Sequence, residues 1–123
     1  MPGKKRILIV DDSAEILSLY SDVLKASGYE TVKAQTWEDC WRQARSFKPD
    51  LILLDVVMPG MDGGSMALRL LEDPETSGIP VIFLTSMVSP EEASAVNSPG
   101  ARVYVSKASP HTELLKTVKK TIG

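Results

Sequence analysis

The chain has 123 residues, of which 43% are hydrophobic and 24% charged, the balance of one ordinary globular domain covering 1–123. Its net charge of -2 gives no support for broad nucleic-acid binding, and no apolar run approaches membrane-spanning length. A single cysteine, Cys40, excludes an internal disulfide and fits a reducing, cytoplasmic setting, while the apolar run after the basic "MPGKKR" is too short for a signal peptide.

The first predicted element is the apolar run 7–10, a strand that ends on Asp11-Asp12. Ile16, Leu19, Tyr20, Val23 and Leu24 then recur at helical spacing, with Gly28 as a C-terminal cap. Glu30–Ala34 alternates polar and apolar, as a less covered strand does. Thr36 opens a second helix, with Asp39 three residues on in a capping-box-like pair and Trp37, Cys40, Trp41 and Ala44 facing inward. The run 51–54 is again wholly apolar and delivers Asp55, after which Met58-Pro59-Gly60 turns the chain. A third helix is expected over 65–72, with Met66, Leu70 and Leu71 inward.

The run 81–84 is a third buried strand, ending on Thr85-Ser86. "SPEE" at 89–92 starts a fourth helix that has only Val96 as a large apolar residue before Pro99 blocks it, so it is expected to be short and mobile. An alternating strand over 101–105 leads to Ser106-Lys107. Ser109-Pro110 is read as N-cap and first position of the last helix, whose stripe is Leu114, Leu115, Val118 and Ile122.

Five repetitions of strand then helix predict an α/β doubly wound parallel sheet with right-handed crossovers. Placing the two alternating strands at the edges gives order 2-1-3-4-5, the flavodoxin-like (βα)5 arrangement. Ligands of such sheets bind beyond the C-terminal ends of the strands. Those ends carry Asp11, Asp12, Asp55, Thr85 and Lys107. Each alone has an ordinary use: a helix cap, a turn residue, a strand-end hydroxyl, a solvated charge. Their convergence from four strands does not. At about 5 Å and an effective dielectric of about 20, each pair of like charges costs roughly 3 kcal/mol. Such a cluster raises a pKa or holds a cation, and an all-oxygen set suits Mg2+ shared with phosphate oxygens. One accessible aspartate could then act as a nucleophile in phosphoryl transfer, with Thr85 and Lys107 on the remaining oxygens.

At this point the sequence resembles a response-regulator receiver domain, the CheY-like family of two-component signalling. The resemblance rests on "ILIVDDS" (7–13), "LILLDVVMPGMDG" (51–63), "VIFLTS" (81–86) and "GARVYVSK" (100–107), and covers nearly the whole chain. It implies that Asp55 accepts a phosphoryl group and that Asp11, Asp12, Asp55 and the backbone carbonyl of Val57 hold Mg2+. It implies further that Lys107 pairs with the phosphate, that Thr85 moves toward it, and that Tyr104 turns inward as a switch. The surface of the fourth helix, fifth strand and fifth helix would change, and an output protein would read it. The phosphoryl group would come from a sensor histidine kinase or a histidine phosphotransfer protein, with no nucleic-acid or membrane partner. The family is one of signalling receivers rather than enzymes, catalysing only their own phosphoryl uptake and slow hydrolysis.

The chain departs from the family pattern in three places. Ala108 stands where the family has a proline after the lysine, so a trans Lys107–Ala108 bond is expected. The fourth helix is weak. Val57 and Met87 place apolar side chains two residues beyond Asp55 and Thr85, where they could hinder water and lengthen the life of the phosphoryl group. Two other functions compete. A haloacid-dehalogenase-like phosphatase would carry an acid/base aspartate where Val57 stands, and would have a cap domain. A pseudo-receiver would lack part of the intact acidic, hydroxyl and lysine set. His111, in the first turn of a helix, reads as structural rather than as a phosphoryl carrier, and Lys116, Lys119 and Lys120 read as a solvated face.

Overall fold

The computed structural model describes residues 3–55, 57–58, 61–85 and 103–123, of which 57–58, 61–64 and 103 are described by backbone alone. In chain order these form β1 (Arg6–Val10), α1 (Ala14–Ala26), β2 (Glu30–Ala34), α2 (Trp37–Ser46), β3 (Leu51–Asp55), β4 (Val57–Met58), β5 (Met61–Asp62), α3 (Gly63–Glu72), β6 (Val81–Thr85), β7 (Val103–Ser106) and a C-terminal helix (His111–Ile122). The main sheet is five-stranded, parallel throughout, and ordered β2-β1-β3-β6-β7. Its five strands, counted along the chain, therefore lie in the predicted flavodoxin-like order 2-1-3-4-5. The small β4–β5 pair is antiparallel, Val57 opposite Asp62, and was not anticipated.

The apolar runs become central strands because both faces of the sheet are covered. Ile7, Ile9, Leu51, Leu53, Ile82 and Leu84 meet Leu17, Tyr20, Leu24, Leu114 and Val118 from α1 and the C-terminal helix. On the other face Leu8, Val10, Ile52, Leu54 and Phe83 meet Trp37, Cys40, Ala44, Met66 and Leu70 from α2 and α3. All five residues of β3 are buried, Asp55 included. Period-two alternation across two apolar layers is why no polar residue interrupts these runs.

Local chemistry sets the helix ends. At the end of α1, Gly28 has φ +98°; its N–H bonds the Lys25 carbonyl, and the Tyr29 N–H bonds that of Leu24, a Schellman closure. In α2 the Thr36 hydroxyl accepts from the Asp39 N–H at 3.1 Å, as expected, but the Asp39 carboxylate pairs with Arg42 instead of returning to the cap.

Several expectations are corrected. Ser109 does not cap the last helix: Pro110 holds the cap position without a side-chain hydrogen bond, and the helix starts at His111. The third helix starts at Gly63, two residues early, and Leu71 is 62% exposed. Consecutive helical residues point about 100° apart, and in this pair Leu70 takes the core side and Leu71 the solvent side. In α1 Leu17 is buried and Leu19 is exposed for the same reason. Trp41, Leu115 and Ile122 are only partly buried. The expected helix over 89–97, its stop at Pro99, Ser86, Met87, the turn at Pro59-Gly60 and the start of the last strand at 101–102 lie outside the described residues.

Candidate functional site

The functional edge is assembled by strand ends whose backbone is carried one residue beyond the ladder. The Asp11 N–H bonds the Ala34 carbonyl at 3.1 Å, extending β1 against β2, and the Lys107 N–H bonds the Thr85 carbonyl at 2.7 Å, extending β7 against β6. Asp55 closes β3 in register with Leu84, and Thr85 closes β6 in register with Ser106. Rigid strands thus hold three of the side chains at fixed positions, with Lys107 following directly on β7.

Neither aspartate after β1 caps α1. That role falls to Ser13, whose Oγ accepts from the Ile16 N–H at 3.3 Å. Asp11 is buried (1% exposed); its Oδ1 accepts from the Ser13 N–H at 2.9 Å and its Oδ2 from Lys107 Nζ at 2.6 Å. Asp12 is exposed, and its carbonyl accepts from Gln35 Nε2 at 3.5 Å. Asp55 is 6% exposed, with Oδ1 3.4 Å from Lys107 Nζ. One carboxylate oxygen from each of Asp11, Asp12 and Asp55 lies within 4.8 Å of the others.

Lys107 is the positive centre of this cluster. Its partial burial works against the charge, but the hydrogen bond to Asp11 and the charges of Asp11 and Asp55 outweigh that and hold its pKa above the ordinary lysine value. Its bond to Ala108 is trans, as no cis peptide occurs among the described residues. The following turn is held instead by Ser106, whose Oγ accepts from the Ala108 N–H at 3.1 Å and whose carbonyl accepts from the Ser109 N–H at 3.0 Å.

Thr85 is buried (3% exposed). Tyr104 is partly buried and stacks on Phe83, ring centroids 5.0 Å apart and planes 23° from parallel. The backbone of Val57 lies two residues past Asp55, in β4. The structure therefore brings Asp11, Asp12, Asp55 and Lys107 together at one edge, sets Thr85 at the end of the strand beside Asp55, and places Tyr104 one strand further out. Two residues were missed. Ser13 could have been found as the hydroxyl residue immediately before the helix. Tyr20, read only as part of a helical stripe, is buried on the inner face of α1 and feels the charges of both Lys107 and Asp11.

A magnesium shell makes a test of this donor set. Oxygens on opposite sides of an octahedral Mg2+ stand about 4.2 Å apart. Three carboxylate oxygens within 4.8 Å, all hard donors, stand just outside that dimension, so a small inward shift would bring them onto one ion. The donor set suits a hard divalent cation such as Mg2+.

The sequence pattern of the family described as "Response regulator receiver domain" matches residues 7–119. The chain belongs to that family. As a receiver domain of two-component signalling it is a member of a signalling family, not of a classical enzyme family. It is 38% identical over 118 residues to Protein PilH of Pseudomonas aeruginosa, covering 96% of this chain and 98% of that protein. It is 31% identical to the polar-differentiation response regulator DivK of Brucella anthropi, covering 97% of both. Among solved structures, the receiver is similar to the chemotaxis response regulator CheY4 of Vibrio cholerae, with a TM-score of 0.81, 29% identity and coverage of 96% and 98%. A response regulator structure from Chloroflexus aurantiacus gives a TM-score of 0.83 at 30% identity, covering 97% and 98%. No helix among the described residues is long and apolar enough to cross a membrane.

Proposed function

We propose that residues 1–123 act as one phosphorylation-dependent receiver, accepting a phosphoryl group on Asp55 with Mg2+ held by Asp11, Asp12, Asp55 and the Val57 carbonyl. The observation that carries the reading is the convergence of three carboxylates within 4.8 Å, two of them paired with one lysine. The donor is a phosphorylated histidine of a sensor kinase or a phosphotransfer protein, and the setting is cytoplasmic. A carboxylate oxygen of Asp55 attacks phosphorus, the P–N bond breaks, and its electron pair returns to the imidazole, which takes up a proton. Bound Mg2+ supplies positive charge that offsets the phosphoryl oxygens.

The remaining work falls to the chain. The Lys107 ammonium is shared between Asp11 and Asp55, and it can exchange the Asp11 oxygen for a phosphoryl oxygen without leaving the site. A phosphoryl group adds about -1.5 to -2 charge and three acceptor oxygens. The Thr85 hydroxyl donates to one of them, which draws it toward Asp55. Tyr104, one strand out, then turns inward. The surface of the strand carrying Tyr104, the C-terminal helix and the segment 89–97 changes, and an output protein reads it. Such a switch can move only as far as phosphorylation favours one state over the other.

Magnesium dependence tests this. Incubation with acetyl phosphate should give a singly phosphorylated chain by intact mass in the presence of Mg2+, and none when the metal is chelated. Equal labelling in both conditions would remove the metal from the mechanism.

A further inference from the structure

Lys107 is the first residue past β7, and its ammonium reaches Asp11 at 2.6 Å and Asp55 at 3.4 Å. A lysine stem is a flexible run of four carbons, so the backbone alone fixes where the charge starts from. That backbone is held on both sides. On the strand side, the Lys107 N–H bonds the Thr85 carbonyl at 2.7 Å. On the far side, Ser106 closes a turn around Lys107 and Ala108 twice over. Its carbonyl accepts from the Ser109 N–H at 3.0 Å, the closing bond of a β-turn. Its Oγ accepts from the Ala108 N–H at 3.1 Å, the side-chain turn a serine makes to the residue two further on. Ser106 itself is 2% exposed and ends β7 opposite Thr85, so the turn is anchored in the sheet. The side-chain bond also depends on residue 108. A proline there would have no N–H to donate, and Ala108 supplies one.

We propose that Ser106 is a positioning residue for phosphoryl transfer, its hydroxyl fixing the turn from which Lys107 reaches the incoming phosphoryl oxygen. This rests on the reading of Asp55 as the phosphoryl acceptor. Ser106 touches neither the carboxylates nor the phosphoryl group in this scheme; it acts through Lys107. Without its hydroxyl the turn keeps only the bond to Ser109, and the ammonium spends less time where phosphorus is attacked. The carboxylates keep their places, since Asp11 and Asp55 are held by β1 and β3. Ala108 is exposed, so water can take over its N–H and the chain stays folded.

The test is the rate of phosphoryl uptake from acetyl phosphate with saturating Mg2+, read by intact mass, beside calorimetric titration with Mg2+ alone. Ser106→Ala should slow uptake about ten-fold, within the range that small misplacements of a positioned group produce. Its affinity for Mg2+ should not fall. In a Lys107→Met background the same substitution should cause no further slowing, because a residue acting through the lysine has nothing left to act on. Should Ser106→Ala unfold, Ser106→Cys carries the test, since a thiol fills the space and accepts only weakly. Uptake unchanged in the serine variant would overturn the proposal. So would Mg2+ affinity falling in step with uptake, or an equal slowing in the Lys107→Met background. A wild-type chain that takes up no phosphoryl group would instead overturn the phosphorylation reading.

Discussion

Three side chains combine to set how this receiver responds to alkali. Lys107 has its pKa raised above 10.5, its burial being outweighed by Asp11 and Asp55. Tyr20 has its pKa raised above 10.0, chiefly by burial, with Lys107 lowering it and Asp11 raising it further. Cys40, buried in the α2 layer, is pushed up to about 12 by burial first and by Asp39 second. In all three cases the unfolded chain gives up its proton first as pH rises. The unfolded state then binds fewer protons than the native one, and stability falls with pH. The contributions are complete below the ordinary values of 9.0, 10.0 and 10.5 and are lost as pH climbs past the raised ones. Urea melts from neutral to strongly alkaline pH should show this decline, and Lys107→Met should make it shallower. A flat profile would contradict the assignment. Cys40 should also resist thiol reagents until the chain is denatured, because the protonated buried thiol is a poor nucleophile.

At the scale of elements, the caps give separable predictions. Gly28 sits at φ +98° with open space where a Cβ would go, so Gly28→Ala carries only the backbone strain, about 1–2 kcal/mol. Thr36→Ala removes the bond to the Asp39 N–H and should cost about 1 kcal/mol. Ser109→Ala should stay within about 0.5 kcal/mol, because Ser109 is not the cap it resembles in the sequence. Equilibrium urea unfolding of the three variants checks the ranking; a large loss at Ser109 would mean the helix start is misplaced. The strands were legible because an unbroken apolar run has few uses other than a doubly covered strand. The helix faces were less so. Leu19-Tyr20 and Leu70-Leu71 are adjacent apolar pairs, and hydrophobicity does not say which member turns inward; packing chose Tyr20 and Leu70.

Over the whole molecule, the sheet fixes both stability and site. Leu53 is fully buried in the central strand, so Leu53→Ala should cost about 2–5 kcal/mol, whereas Leu71→Gln, on an exposed face, should change stability by about 0.5 kcal/mol or less. Thermal or urea melts distinguish the two at once. The site was readable at this scale because each of its members is ambiguous alone and they converge only when the strand order is applied. Asp11, Asp12, Asp55 and Lys107 meet as that order requires. What escaped the sequence was how the charges are shared: that Ser13 relieves the aspartates of capping, and that Lys107 bridges Asp11 and Asp55. These depend on side-chain geometry, which spacing does not encode.

The central claim is that Asp55 is the phosphoryl acceptor, and intact-mass analysis after treatment with acetyl phosphate and Mg2+ tests it most directly. The wild type should gain a single phosphoryl group, located by peptide mapping on the segment containing Asp55, and Asp55→Asn should gain none. A phosphoryl group retained by Asp55→Asn, or mapped to another residue of the wild type, would contradict the account.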